Sequence, residues 1–88
     1  MSLFATIKAY AASIDPVAKL ALIEIADWAD DAGRAPVVIS QIATFAGCSD
    51  IEAEKAVDRL IRAGLIEPQP LDGRGRRFVT FTGGEDGN

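Results

Sequence analysis

The sequence feature that most constrains the fold is a pair of adjacent helix boundaries near the middle of the chain. Ser49-Asp50-Ile51-Glu52 has the pattern of a capping box, in which serine and glutamate each satisfy an amide at the start of a helix. The helix that it opens is predicted to end at about Ala63. Gly47 ends an earlier, short helix, predicted over Gln41–Ala46 with Ser40 as its cap. Two helices therefore adjoin across a tight turn.

A longer helix is predicted upstream of these two. Asp15-Pro16 is a start signal, because an acceptor side chain at the N-cap precedes a proline at the first helical position. The helix is predicted to end at about Asp31, with Trp28 in its apolar arc as a core residue. Leu20 and Ile23 fall among its charged positions. A short N-terminal helix, predicted over residues 3–13, is expected to cover them, the alternative being a partner.

The remaining segments indicate β-structure. Val37-Val38-Ile39 is a β-branched run that predicts one short strand. A turn at residues 71–75 separates Leu65-Ile66 from Arg76–Thr82, which predicts a C-terminal β-hairpin. Pro68 and Pro70 have the same parity, so both missing amides are expected at an unpaired edge. We therefore predict a single α+β, mainly helical domain over residues 1–82, followed by a flexible polar tail over 83–88.

The composition excludes several classes of catalytic and metal-binding site. The 88 residues include no histidine and one cysteine, with nine basic and thirteen acidic residues for a net charge of −4. Imidazole catalysis, histidine-ligated zinc and a CxxC site are excluded, so we expect no enzymatic activity, no cofactor and no metal. Cys48 is expected to be a small buried residue, with a redox switch as the alternative. No signal sequence or membrane span is evident, and we expect a cytoplasmic protein.

The order of these elements resembles a winged helix-turn-helix domain. Five stretches carry the resemblance: Lys19-Leu20-Ala21-Leu22, Ala26-Asp27, Ile42-Ala43 before Gly47, Ser49, and Leu60 with Arg62-Ala63-Gly64-Leu65-Ile66. It covers residues 17–82 and is closest to small domains of phage and plasmid replication proteins and of bacterial one-domain regulators. The fold it implies has three to four helices and a C-terminal hairpin wing. The function it implies is regulation of transcription or replication through duplex DNA.

In that family the capped third helix enters the major groove and the wing touches the backbone or minor groove. Carried onto this sequence, the resemblance places Asp50, Ile51, Glu54, Lys55 and Asp58 towards the groove, where relatives are usually richer in basic and polar residues. The alternative interpretation is that these charges complement the helix dipole. The wing tip is basic, whereas residues 1–58 carry a net charge of −5. The predicted DNA-contacting residues are Lys55, Arg59, Arg62, Arg74, Arg76 and Arg77.

A second hypothesis is a protein-interaction module on the same scaffold, such as a mobile-element inhibitor, an adaptor or an oligomerising subunit. It would use the acidic third helix, with Ile51 exposed at the start of that helix. Under either hypothesis we expect a homodimer, because a second copy would cover apolar surface that the domain leaves exposed. The predicted partner or dimer interface consists of Leu3, Phe4, Ile7, Leu20, Ile23 and Ile51.

Overall fold

The computed structural model describes residues 16–81, which form three helices and a three-stranded antiparallel sheet. The predicted N-terminal helix and the predicted polar tail lie outside these residues. The α+β class is confirmed, with three helices in the described part of the chain. The elements are α1 (Pro16–Asp27), β1 (Arg34–Pro36), α2 (Ile39–Ala46), α3 (Asp50–Arg62), β2 (Ile66–Pro68) and β3 (Phe78–Phe81).

The capping box of α3 is confirmed. Ser49 Oγ accepts from the Glu52 amide at 3.1 Å, and Glu52 Oε1 accepts from the Ser49 amide at 3.4 Å. Gly47 ends α2 in the left-handed region, at φ 71°, and its N–H reaches the carbonyls of Ala43 and Thr44. The tight turn between α2 and α3 therefore has the geometry that the sequence predicts.

The region before α2 differs from the sequence-based prediction. The strand is Arg34–Pro36, not residues 37–39, and α2 begins at Ile39 with Val38 at its N-cap. Strand pairing explains the shift, because the register of β3 pairs it with Arg34, Ala35 and Pro36, and α2 then begins at Ile39. Ser40 consequently lies inside the first turn rather than at the cap, and no side-chain hydrogen bond caps this helix.

Helix α1 ends at Asp27, four residues earlier than predicted. The amides of Trp28 and Ala29 turn back to Ile25 and Ala26, and the Asp30 side chain then caps the following loop. Trp28 therefore lies beyond the last helical residue. Its side chain is 54% exposed, so its assignment to the core is wrong. The sequence projection placed it on the apolar arc because it assumed that the helix continued.

The core lies between the three helices and one face of the sheet. Leu22, Ile25, Val57, Leu60 and Val79 are each at most 1% exposed. The sheet order is β1-β3-β2, so β3 is the central strand and Pro36 and Pro68 lie on edge strands. The Val37 amide donates to the carbonyl of Arg77, which precedes β3, and the Gln69 amide donates to the carbonyl of Phe78. The nitrogen atoms of Pro36 and Pro68, which carry no hydrogen, therefore face the unpaired edges of the sheet, as predicted for Pro68.

Candidate nucleic-acid interface

The loop that joins β2 to β3 is closed by one aspartate. Asp72 Oδ1 accepts from the backbone N–H groups of Arg74 at 2.9 Å and Arg76 at 2.8 Å. The Asp72 carbonyl accepts from Gly75, whose φ of 76° lies in the left-handed region that favours glycine. This Asx turn fixes the backbone from which the side chains of Arg74 and Arg76 project.

The same carboxylate also binds an arginine side chain. Arg76 Nε lies 2.7 Å from Asp72 Oδ2, and the Asp72 side chain is only 19% exposed. The backbone hydrogen bond from Arg76 is the main cause that lowers the pKa of the Asp72 carboxyl, helped by the Arg74 amide and the Arg76 side chain. These bonds outweigh the partial burial, which acts in the opposite direction. The carboxylate that organises this loop is thus held in its charged form.

A second turn of the same construction precedes β1. Asp30 Oδ1 accepts from the amides of Ala32 and Arg34, each at 2.9 Å. The Asp30 carbonyl accepts from Gly33, at φ 81°, and the Asp30 amide donates to the Arg34 carbonyl. Both turns therefore follow the pattern Asp-x-x-Gly-Arg, with the arginine four residues after the aspartate.

The two arginines of these turns lie beside one aromatic ring. Arg34 Cζ is 3.8 Å and Arg76 Cζ is 5.8 Å from the centroid of the Phe78 ring. Phe78 is on the outer face of the sheet, because Val79, the next residue, faces the helices and is fully buried. We refer to Arg34, Arg76 and Phe78 as the arginine–phenylalanine cluster.

Arg77 faces the other way, towards α3. Its Nη1 atom donates to both oxygens of Glu54, at 3.1 and 2.9 Å. The side chains of Arg77 and Glu54 are 33% and 52% exposed, so the pair is partly open to solvent. One of the predicted DNA-contacting arginines is therefore engaged by a carboxylate of the helix that was predicted to enter the groove.

The other predicted basic residues are exposed. Arg62 pairs with Asp58 one turn earlier on α3, at 2.9 Å. Lys55 and Arg59 border a depression of about 170 Å³ between α3 and α1, together with Glu52 and Val17. The Arg74 side chain makes no ion pair or hydrogen bond with any residue in the range 16–81. The cation of Arg74 in the loop is thus unpaired within the described residues, whereas the cations of α3 lie among carboxylates of the same helix.

The predicted partner or dimer interface is only partly represented in the structure. Leu20 is half-buried, Ile23 is 38% exposed and Ile51 is 69% exposed. Leu3, Phe4 and Ile7 lie outside the described residues. The homodimer and its interface remain predictions.

Cys48 is half-buried at the turn between α2 and α3. Desolvation raises the pKa of its thiol, and the carboxylates of Glu52 and Asp50 raise it further. These surroundings favour the neutral thiol over the nucleophilic thiolate. They give no support to the redox alternative.

Sequence reasoning missed Arg34 and Phe78. The spacing of Arg76 and Phe78 was a usable signal, because both belong to the strand predicted over residues 76–82, and residues two apart in a strand share a face of the sheet. In the structure β3 begins only at Phe78. The repeated Asp-x-x-Gly-Arg pattern was a second signal. The approach of Arg34 to Phe78 has no local signal, since it depends on the pairing of Pro36 with Phe78 across the sheet.

None of the helices within residues 16–81 is long and apolar enough to cross a membrane. In the same range, no three aspartate, glutamate or cysteine side chains converge as metal ligands. No model of a known protein family matches the sequence, and no curated protein matches it.

Proposed function

We propose that this chain is a winged helix-turn-helix protein that binds duplex DNA and regulates transcription or replication. The wing is the hairpin formed by β2, β3 and the loop between them, residues 66–81. The order of helices and strands supports this proposal, because α2 and α3 adjoin across a tight turn and the hairpin follows α3 directly. In this proposal the wing supplies most of the contacts to phosphate.

The observation that carries the proposal is the placement of arginines by the two Asx turns. Arg34 and Arg76 lie against Phe78, and Arg74 projects from the loop whose backbone Asp72 fixes. Holding guanidinium groups before binding reduces the entropy that is lost when they contact phosphates. Cation–π contact with the Phe78 ring does not consume the outward-facing N–H donors. The wing therefore offers a pre-organised basic surface.

The distribution of charge along the chain also supports an approach of DNA from the side of the wing. Residues 1–58 carry a net charge of −5, whereas residues 59–82 carry five arginines and two acids, a net charge of +3. An approaching polyanion is attracted by the wing and repelled by the acidic body. Glu54 and Asp58 also limit non-specific affinity of α3, while Lys55, Arg59 and Arg62 position that helix against the backbone.

The test compares single cation removals that change the net charge equally. Arg74→Ala removes a wing cation that has no ion-pair partner in the described range, and Lys19→Ala removes an exposed cation of α1. We expect Arg74→Ala to weaken duplex binding and to reduce the slope of log K against log salt by about 0.9 for each phosphate that the variant no longer neutralises. Lys19→Ala should leave the slope unchanged. Fluorescence anisotropy of a labelled random duplex at several salt concentrations measures both quantities.

Arg34→Ala extends the test to the residue that sequence reasoning missed. If the cluster contacts DNA, this change reduces the slope as Arg74→Ala does, although Arg34 precedes the wing by more than thirty residues. The absence of a salt-dependent complex at micromolar wild-type protein would overturn the proposal. Equal effects of Arg74→Ala and Lys19→Ala would show attraction by overall charge and not a wing interface.

A second candidate function rests on a specific observation at the start of α3. Ile51 is 69% exposed and lies between Asp50 and Glu52, with Glu54 one turn away. An apolar side chain among carboxylates suits a protein partner with a basic surface. Ile51→Lys should then abolish capture of that partner, whereas Leu71→Lys, at an equally exposed position of the wing, should not. Capture that survives Ile51→Lys would exclude this surface.

A further inference from the structure

An open groove lies between α1 and α2, away from the wing. Its volume is about 410 Å³, and it is lined by Glu24, Ser40, Gln41, Thr44 and Phe45. The Phe45 side chain is 47% exposed, although it is the largest apolar group of α2. The groove thus combines one apolar wall with short polar side chains and a single carboxylate.

Trp28 is linked to this groove through Glu24. Its indole Nε1 donates to Glu24 Oε2 at 3.0 Å, and the ring remains 54% exposed. The second carboxylate oxygen, Oε1, makes no hydrogen bond with the described residues. An exposed indole held beside a carboxylate offers a π-face and a negative charge to the same incoming group.

We propose that this groove binds a basic amphipathic peptide segment of a partner protein, with a lysine or arginine against the Trp28 ring and Glu24 Oε1 and an apolar side chain against Phe45. The cation pairs with Glu24 and stacks on the indole, while the apolar residue covers the exposed phenylalanine ring.

Charge complementarity identifies the occupant. Among residues 16–81, no basic side chain lines the groove, and Asp27 and Asp31, which are close to Trp28 in the sequence, are further exposed acids. An acidic peptide would meet like charges, and a wholly apolar segment would leave Glu24 without a cation. Interfaces also favour exposed tryptophan at their centres, because its large ring is ordered at low entropic cost.

The chain contains one tryptophan, so its fluorescence reports on the surroundings of Trp28, which is hydrogen-bonded to Glu24 of the groove. The probe is a tryptophan-free synthetic peptide of leucine and lysine, about four helical turns long. Matched peptides replace every lysine by glutamate, or every leucine by serine. The titrations are made at about 0.15 M salt, where interactions between surface charges more than roughly 8 Å apart are largely screened. Of the three peptides, we expect only the leucine–lysine peptide to give a saturable emission change.

Two variants locate the binding site. Glu24→Gln and Phe45→Ala should each weaken binding of the leucine–lysine peptide about tenfold, measured by calorimetry because Glu24→Gln also alters the indole environment. The matched controls are Glu67→Gln, an exposed acid of β2, and Leu71→Ala, an exposed apolar residue of the loop between β2 and β3. Ile51→Ala tests separately whether the peptide binds instead at the start of α3. Circular dichroism confirms the fold of each variant, and Glu24→Gln remains informative if Phe45→Ala does not fold.

Three results would overturn the proposal. Equal binding of the leucine–glutamate peptide would show non-specific hydrophobic association. Loss of binding in Ile51→Ala, with none in Glu24→Gln, would move the site to α3. A concentration-dependent emission change without peptide, abolished by Glu24→Gln, would make a second copy of this chain the occupant. DNA binding through the wing is measured separately on the same variants and does not depend on this groove.

Discussion

Asp72 is the residue on which the geometry of the wing loop depends. Its carboxylate accepts two backbone hydrogen bonds and pairs with Arg76, and its folded-state pKa is lowered by these contacts. A carboxyl whose pKa is lower in the folded state stabilises the fold at every pH above its unfolded value of about 3.9. That contribution is lost as the pH falls from there through the lower, folded-state pKa.

Asp72→Asn tests this linkage, because asparagine keeps an acceptor oxygen for the two amides and loses the charge. We expect the free energy of unfolding of the wild type to exceed that of Asp72→Asn above about pH 4, and the difference to shrink at lower pH. Urea unfolding from pH 7 to pH 3, followed by circular dichroism, measures it. Glu67→Gln, at an exposed position of β2, is the control for loss of a carboxylate. A difference that stays constant over this range would contradict a role for the charge.

At the scale of secondary-structure elements, two serines that look alike in the sequence have different roles. Ser49 caps α3 with its side chain, whereas Ser40 lies inside the first turn of α2, where its carbonyl accepts from the Thr44 hydroxyl. Ser49→Ala should therefore lower the free energy of unfolding by about 1 kcal/mol. Ser40→Ala, the matched substitution, should stay within about 0.5 kcal/mol of the wild type. Equal losses in urea unfolding would contradict the assignment of the cap.

These elements also show what the sequence can and cannot predict. The capping box, the end of α2 at Gly47 and the hairpin depend on residues close together in the chain, and all three were predictable. The position of β1 was not, because Arg34–Pro36 is a strand only by pairing with β3. The exposure of Trp28 was missed because a turn formed by Asp30 ends α1 early. In the candidate site, Arg74 and Arg76 were found from the sequence, while the contact of Arg34 with Phe78 required the assembled sheet.

For the described part of the molecule, the sheet joins the segment before α2 to the strand at residues 78–81. Its central strand β3 pairs with β1, so that Val79 lies opposite Ala35, and Val79 is completely buried against the helices. The wing strands therefore share one core with α1, α2 and α3. A contact between residues so far apart in sequence closes a long loop, and the entropy cost of that closure is offset only by the contacts of the shared core. The wing is expected to unfold together with the helices and not before them.

Val79→Ala tests this cooperativity through a signal that belongs to the helices. Removing two buried methyl groups should cost about 2 kcal/mol from transfer and cavity terms, a large part of the roughly 4–13 kcal/mol expected for a domain of this size. If wing and helices share one transition, the helical circular dichroism signal at 222 nm should be lost at a lower urea concentration. Val38→Ala makes the same change at a side chain that is 42% exposed, and should shift the midpoint little. A helical midpoint unchanged by Val79→Ala would show instead that the wing strands and the helices unfold as separate units.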